Sequence, residues 1–214
     1  MGLIENYKKI SAKIANVIQN RKVELIVVSK NQNSKIILEL IKFFNHQHFG
    51  ENRVQEAITK WPFIKNQYKE VKLHFIGKLQ SNKVKDVVKL FDYVHSIDSK
   101  KLANLCSIEE KKSNKKLNYF IQVNFDNEIQ KAGVNENFAI ELFNYCKKFL
   151  DINIVGLMCI PPIAKDSTQY FDKLSIIAQK CNLKELSIGM SNDYQEAIKC
   201  GATFVRIGSA IFRK

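Results

Sequence analysis

Short apolar segments alternate with amphipathic helical segments along the whole chain, and this alternation restricts the possible folds more than any other feature. Runs of apolar and β-branched residues predict strands, whereas apolar residues spaced three or four apart predict helices. The predicted strands are 24–29, 47–49, 72–76, 93–95, 118–124, 152–157, 184–187 and 203–206. The predicted helices are an amphipathic segment at the amino terminus and segments near 34–45, 52–60, 81–90, 99–112, 136–149, 168–181 and 192–200.

A closed parallel α/β barrel of the (β/α)8 type, a TIM-type barrel, is the architecture that this alternation favours. Strands separated by helices pair in parallel, and eight of them suffice to close a barrel. An open doubly wound sheet would carry a glycine-rich dinucleotide turn after its first strand, and the SKNQN segment at 29–33 has no glycine. The length of 214 residues is at the small end for such a barrel, so we expect one domain over 1–214.

The segment 187–212, SIGMSNDYQEAIKCGATFVRIGSAIF, contains two glycine turns that each follow a predicted strand. Ser191 is predicted to cap the helix that follows the first turn. Backbone N–H groups and hydroxyls at such turns bind phosphate, and in eight-stranded barrels the turns after the last two strands are the usual place. We therefore predict that Ser191, Gly208 and Ser209 hold a phosphate and that Met190 contributes its backbone.

Lys30 directly follows an apolar predicted strand, so its side chain is expected to reach the barrel mouth. A desolvated lysine that faces other cations loses pKa and can act as a nucleophile. Considered alone, Lys30 is better interpreted as a surface lysine of a lysine-rich chain. Combined with a phosphate site in the same mouth, it suits pyridoxal phosphate, an aldehyde cofactor with a phosphate tail that is held as a Schiff base.

Seven segments, in order along the chain, carry a resemblance to a known family. They are VVSK at 27–30, HFGENRVQE at 48–56, LHFIGKLQSNK at 73–83, HSIDS at 95–99, QVNFDNEIQKAG at 122–133, GLMCIPP at 156–162, and the stretch from SIGMS to VRIGSAIF at 187–212. In these segments the chain closely resembles the pyridoxal phosphate homeostasis proteins, the YggS-like family. The resemblance implies a type III pyridoxal phosphate barrel, like the first domain of alanine racemase standing alone, with Lys30 at the position of the cofactor lysine.

The chain departs from the family pattern at two places. Residues 31–33 read NQN, where the family usually has a prolyl or threonyl loop after the cofactor lysine. Arg213 follows Phe212, where the family usually has a glycine. The second departure concerns the last helix and not the cofactor site.

Further cofactor contacts are predicted at other strand ends. Asn52 could hydrogen-bond the phenolic oxygen of the cofactor ring, but spacing alone favours an ordinary helix start with Glu51 in solvent. Met158 is predicted to pack under the ring, with plain core packing as the alternative. Arg206 could face the pyridine nitrogen and keep it unprotonated, or point outward to the helices; the resemblance favours the inward orientation. The predicted cofactor-binding set is Lys30, Asn52, Met158, Met190, Ser191, Arg206, Gly208 and Ser209, and no residue is predicted to be catalytic.

Four other residues attract attention through their chemistry. Lys131 follows the fifth strand and could take part in cofactor exchange, although most such lysines are solvated loop residues. His95 is predicted to be a buried, hydrogen-bonded histidine. His46 and His48 are predicted to lie two apart on one face of a strand, but no third ligand has a suitable spacing, so no metal site is predicted.

Composition limits the partners and the compartment. The formal net charge is +13, but the lysines are scattered and no basic helix with interleaved aromatic residues is present, so we expect no specific nucleic-acid binding. The five cysteines are odd in number and form no CxxC pair, which is typical of reduced thiols in the cytoplasm. No segment is long and apolar enough to span a membrane. We expect a cytoplasmic protein without a membrane partner, and a monomer.

Three functions compete at this point. The first is a carrier that binds pyridoxal phosphate reversibly, buffers its supply and delivers it to apoenzymes without robust catalysis of its own. The second is an amino-acid racemase or similar enzyme, which needs a second acid/base on the opposite face of the cofactor. The third is a nucleic-acid or protein-interaction module with an empty barrel. The sequence ends with the barrel, where alanine racemase has a further domain that supplies that second group, so the carrier is expected.

Overall fold

The structure is a computed structural model that describes residues 2–18, 21–126, 132–162 and 166–213. Its centre is a closed barrel in which neighbouring strands are parallel and follow chain order, and β1 closes the barrel against β8. The predicted (β/α)8 barrel is thereby confirmed. The strands are β1 (Glu24–Val28), β2 (His48–Glu51), β3 (Lys72–Phe75), β4 (Tyr93–Ile97), β5 (Asn118–Val123), β6 (Asn153–Cys159), β7 (Glu185–Ser187) and β8 (Phe204–Ile207).

Helices surround the barrel and connect successive strands, as the hydrophobic spacing predicts. A short 3-10 helix at Ser81–Lys83 precedes the fourth helix. The α-helices are α1 (Leu3–Val17), α2 (Ser34–Phe44), α3 (Val54–Gln67), α4 (Val84–Leu90), α5 (Lys100–Ser113), α6 (Glu136–Phe149), α7 (Thr168–Lys180), α8 (Tyr194–Lys199) and α9 (Ser209–Phe212). Helix α1 packs against α8 and α9, at the seam where the chain ends meet.

Two apolar clusters fill the molecule. The larger one lies between the outer faces of the strands and the helices, and its largest buried side chains include Trp61, Tyr119 and Phe49. The smaller one combines Ile26, Phe120, Met158 and Phe204, which come from four different strands. Residues that alternate along a strand point to opposite faces, so the smaller cluster fills the barrel interior. The carboxyl ends of the strands are left to form the mouth.

Candidate functional site

Lys30 lies at the tip of a tight turn that follows β1. The turn spans Ser29 to Gln32 and is closed by a 3.1 Å hydrogen bond from the Gln32 N–H to the Ser29 carbonyl. Asn31 adopts a left-handed conformation with φ 60°, which Asn and Gly accept more readily than other residues. The Lys30 side chain is exposed and forms no hydrogen bond or ion pair with another described residue. Its amine is therefore available at the barrel mouth.

Strand register brings together site residues from distant parts of the sequence. Val28 of β1 lies opposite Gly50 of β2, and Val27 lies opposite Ile207 of β8. Asn52 and the Gly208-Ser209 turn follow those partners by one or two residues. The turn that carries Lys30 therefore lies between Asn52 on one side and the predicted phosphate turn on the other, as the sequence predicts for a common site.

Asn52 has a polar atom that needs a partner. Its Oδ1 is buried and has no hydrogen-bond partner among the described residues. A β-carbon at Gly77 would come within 2.3 Å of the Asn52 carbonyl, so the glycine permits close approach of the β3 turn. Buried polar atoms are rarely left without a partner, and this oxygen is available to accept a hydrogen bond from a bound ligand. This observation fits a polar group of a bound cofactor.

Ser191 and Ser209 meet across the two glycine turns. The Ser209 hydroxyl donates to Ser191 Oγ at 3.1 Å, and the Ala210 N–H approaches the same oxygen at 3.4 Å. The backbone N–H groups of Ser191, Gly208 and Ser209 donate to no backbone acceptor in the described part of the chain. Two hydroxyls and several free N–H groups at one point suit the oxygens of a phosphate.

The first of these turns differs from its predicted form. Helix α8 begins at Tyr194, so Ser191 precedes the helix by a turn and does not cap it. Asp193 instead accepts the Met190 N–H through its Oδ1 at 2.6 Å. The Met190 N–H would reach an anion only by giving up this bond, and its role in cofactor binding stays a prediction. Without a capping role, the Ser191 hydroxyl remains directed to Ser209.

Arg206 points into the barrel. Its guanidinium donates to the Ser187 carbonyl at 2.5 Å, to Ser187 Oγ at 2.7 Å and to the Cys159 carbonyl at 3.0 Å. Burial lowers the pKa of Arg206 to about 10, so the group stays charged near neutral pH. The inward orientation agrees with the resemblance, whereas the contact with a pyridine nitrogen stays a prediction.

Met158 and the histidines lie deeper in the barrel. Met158 is fully buried and packs with Phe120 and Phe204, so its observed role is core packing, and its contact with a cofactor ring stays a prediction. His95 is buried and hydrogen-bonded to His74 and to the Ser187 hydroxyl, which confirms its predicted state.

The predicted pairing of His46 and His48 on one strand face is wrong. Strand β2 begins only at His48, whose ring lies against His74 inside the barrel. His46 precedes the strand and packs outside it, where its Nδ1 lies 2.9 Å from the Tyr7 hydroxyl of α1. In the described ranges, no three His, Cys, Asp or Glu side chains are grouped to hold a metal ion. Lys131 lies outside the described residues.

Sequence reasoning missed two charged residues beside the site. Glu51 is fully buried and not in solvent, because it accepts hydrogen bonds from Ser29 and Trp61 and pairs with Lys60. Lys60 is nearly as buried. The spacing of Glu56 and Lys60, an acid and a base one helical turn apart, indicated an ion pair on helix α3 but neither its burial nor the part of Glu51.

Comparison with known proteins identifies the family. Residues 3–213 match the family model described as alanine racemase, N-terminal domain. The chain is 33% identical to the pyridoxal phosphate homeostasis protein of Pasteurella multocida, over 99% of this chain and 97% of the relative. It is 38% identical to the protein of the same name from Vibrio alginolyticus, over 89% and 85% of the two chains. The chain belongs to the pyridoxal phosphate homeostasis protein family.

Solved structures of this family and of related barrels agree with the fold. PipY of Synechococcus elongatus without pyridoxal phosphate has a TM-score of 0.89 and 31% identity, and covers 97% of this chain and 98% of its own. PipY with pyridoxal phosphate bound has a TM-score of 0.85 and 30% identity, over 98% and 99%. Alanine racemase of Clostridium difficile, at 13% identity and a TM-score of 0.73, shares the fold over 99% of this chain and 56% of its own.

Proposed function

We propose that this protein binds pyridoxal phosphate covalently through Lys30 and takes part in pyridoxal phosphate homeostasis. The observation that carries the proposal is the position of Lys30, exposed at the tip of a turn between Asn52 and the Gly208-Ser209 turn. The names of the relatives and the pyridoxal phosphate bound to PipY support the choice of cofactor and the role in homeostasis.

Different residues would bind different groups of pyridoxal phosphate. The hydroxyls of Ser191 and Ser209, with the free N–H groups of their turns, would hold the phosphate oxygens. Asn52 would bind a polar group of the ring, and the charged Arg206 would face the ring nitrogen. When bound, the cofactor supplies a reactive aldehyde and an electron-withdrawing ring. A guanidinium beside the ring nitrogen disfavours protonation of that nitrogen, because two like charges would then lie close together.

Borohydride reduction tests the assignment of Lys30. We expect the purified protein mixed with pyridoxal phosphate to be yellow, and reduction to fix the adduct on the Lys30 peptide. The Lys30→Ala variant should lose the colour and stay folded, since an exposed side chain contributes little to the core. Lys83→Ala is the matched control, and this variant should keep both the yellow colour and the fold. An adduct found only on Lys78 or Lys83 would overturn the proposal.

Carriage of the cofactor is the favoured role, with a racemase-like activity as the alternative. A cofactor whose ring nitrogen is unprotonated withdraws electrons more weakly, which supports slow racemisation. Two measurements separate the roles: deuterium incorporation at the α-carbon of L-alanine, and transfer of pyridoxal phosphate to an unrelated apoenzyme. We expect transfer with negligible incorporation. Fast incorporation with formation of D-alanine and no transfer would reverse the order.

We propose that pyridoxal phosphate-requiring apoenzymes receive the cofactor, that the protein acts as a monomer and that it works in the cytoplasm. Five free cysteines support a reducing compartment. No helix within the described ranges is long and apolar enough to cross a membrane. Sedimentation analysis with and without pyridoxal phosphate tests the monomer, and a stable dimer would contradict it.

A further inference from the structure

Lys60, on helix α3, buries its ammonium group directly beneath the turn that carries Lys30. Its side chain is only 7% exposed. Four oxygens surround Lys60 Nζ: Glu51 Oε1 at 2.7 Å, Glu56 Oε1 at 2.9 Å, Ser29 O at 3.0 Å and Gln32 O at 3.2 Å. A buried charge is tolerated only when it is paired and hydrogen-bonded, so the ammonium holds all four oxygens in place.

The carboxylates of Glu51 and Glu56, which surround Lys60, accept further hydrogen bonds. Glu51 Oε1 also accepts the Ser29 hydroxyl at 2.7 Å and the Trp61 indole N–H at 2.9 Å. Glu56 Oε1 also accepts the Asn31 backbone N–H at 2.6 Å. Charge-assisted hydrogen bonds are stronger than neutral ones. Here the Ser29 bond joins strand β2 to the turn, the Asn31 bond joins helix α3 to the turn, and the Trp61 bond joins helix α3 to strand β2.

The bonds of this cluster reach the residues on both sides of Lys30 and omit Lys30 itself. Ser29 is held through its carbonyl and its hydroxyl, Asn31 through its N–H, and Gln32 through its carbonyl. The left-handed conformation of Asn31 is thereby secured by a specific partner. The backbone of Lys30 is fixed from outside the barrel, while its exposed side chain is held by no other described residue.

We propose that Lys60, Glu51 and Glu56 are positioning residues that preorganise Lys30 for its covalent link to pyridoxal phosphate. The inference rests on the proposed function of Lys30. A turn that is already ordered before the cofactor arrives avoids the entropic cost of ordering it on binding. The three side chains act through the backbone of the turn.

Helix α3 offers a matched control for this proposal. Lys65 lies about one turn further along the helix and also donates to a carboxylate, Asp92 Oδ2 at 2.5 Å, and to a carbonyl, Leu90 O at 3.0 Å. These partners lie just before strand β4, at the opposite end of the barrel from Lys30. Lys65→Met therefore removes a comparable ion pair without touching the turn.

The test compares Lys60→Met, Glu56→Gln and Lys65→Met in the full chain. Amide hydrogen exchange at Asn31 and Gln32 reports the order of the turn without any cofactor. Titration with pyridoxal phosphate, followed by borohydride reduction, reports binding at Lys30. In Lys60→Met we expect exchange at Asn31 at least roughly tenfold faster and affinity roughly tenfold weaker, the size of one lost charge-assisted hydrogen bond. Lys65→Met should leave both unchanged.

Glu56→Gln protects the test against a variant that fails to fold. Glu56 is partly exposed, at 24% of its side chain, and Lys60 keeps its ion pair with Glu51 when Glu56 is neutralised, so Glu56→Gln leaves no unpaired charge in the core. Glu56→Gln should accelerate amide exchange at Asn31. It should also weaken pyridoxal phosphate binding, but by less than Lys60→Met does. Unchanged exchange and affinity in both cluster variants would overturn the inference, and so would equal effects of Lys65→Met. Wild-type protein that forms no adduct at Lys30 would instead overturn the proposed function, while the exchange data would still report on the turn.

Discussion

At the scale of single residues, the sharpest prediction concerns phosphate binding by Ser191 and the Gly208-Ser209 turn. Pyridoxal without its phosphate should bind far more weakly, because each lost charge-assisted hydrogen bond costs about 1.5–3 kcal/mol. Ser209→Ala should remove one such bond. Gly208→Val should be worse, since a β-carbon at Gly208 would already lie 3.1 Å from the Val28 carbonyl. Spectroscopic titration with both ligands measures the difference, and equal affinities would refute the site.

Asn31 provides a second prediction at this scale. A β-branched side chain in a left-handed conformation costs about 1–2 kcal/mol, so Asn31→Val should destabilise the fold and weaken pyridoxal phosphate binding. Asn31→Gly should preserve both. Asn114 is the control, because it also has a left-handed φ, 50°, but ends helix α5 away from the site. Asn114→Val should lower stability in urea unfolding without changing affinity; a matching loss of affinity would contradict the argument.

At the scale of elements, Asn6 ties helix α1 to the helix that carries Ser209. The buried Asn6 amide donates to the Ile211 carbonyl at 3.1 Å and the Arg213 carbonyl at 2.8 Å, so it holds the end of α9. Asn6→Ala should cost about 1–3 kcal/mol and also weaken phosphate binding. Asn104 similarly links α5 to Tyr145 of α6, away from the site. Asn104→Ala should lower stability alone, and a selective loss of affinity in this control would exclude the proposed link.

The sequence predicts the strands and helices far better than it predicts which charged side chains are buried between them. The β1 and β8 segments were visible because their apolar runs end at glycine, lysine or serine. Helix α3 runs beyond its predicted end to Gln67 despite Pro62, because the carbonyl that loses its N–H partner belongs to the exposed Ile58. The burial of Glu51 and Lys60 could not be predicted, since it depends on the packing of α3 over the end of β1.

At the scale of the whole molecule, a hydrogen-bonded chain crosses the barrel interior. Hydrogen bonds of 2.7–2.9 Å connect Arg206, Ser187, His95, His74 and His48 in that order. His48 Nε2 then lies 3.7 Å from Glu24 Oε2, which is an ion-pair distance and too long for a hydrogen bond. A neutral imidazole has one donor and one acceptor nitrogen, so the imidazole bonds must all run in one direction. Arg206 can only donate to Ser187, so every hydrogen bond from Arg206 to His48 Nδ1 has one donor and one acceptor if the protons point toward Glu24, and His48 Nε2–H then faces the carboxylate.

This direction predicts the tautomer of each histidine. His48, His74 and His95 should carry their proton on Nε2. His46 provides an internal reference, because its Nε2 lies 2.8 Å from the His48 carbonyl and must donate to it. Nitrogen-15 NMR of the four histidines should show one tautomer throughout. Three Nδ1-protonated rings would show that the chain runs the other way.

The same histidines predict that acid weakens the whole fold. Burial lowers the pKa of His46 to about 4, and burial also lowers the pKa values of His74 and His95 well below the usual 6.5. The unfolded chain therefore takes up protons that the folded barrel refuses, and the free energy of unfolding falls as pH drops below about 6.5. His46 alone contributes about 3 kcal/mol by pH 4. Burial raises the pKa of Asp98 above its ordinary 3.8. Protonation of Asp98 therefore favours the folded state and opposes this loss of stability, but only at pH values closer to 3.8.

Variants isolate this contribution from that of the carboxylates. Each shifted histidine can add at most about 1.4 kcal/mol per pH unit to the slope of stability against pH. Urea unfolding of wild type and His46→Gln between pH 7 and pH 4 should therefore differ most at pH 7 and converge as the pH falls. Glutamine does not titrate, whereas the wild-type imidazole must stay neutral inside a protein that grows steadily less stable. A constant difference across this range would mean that His46 is protonated in the folded state, and that the barrel tolerates a charge beside Tyr7.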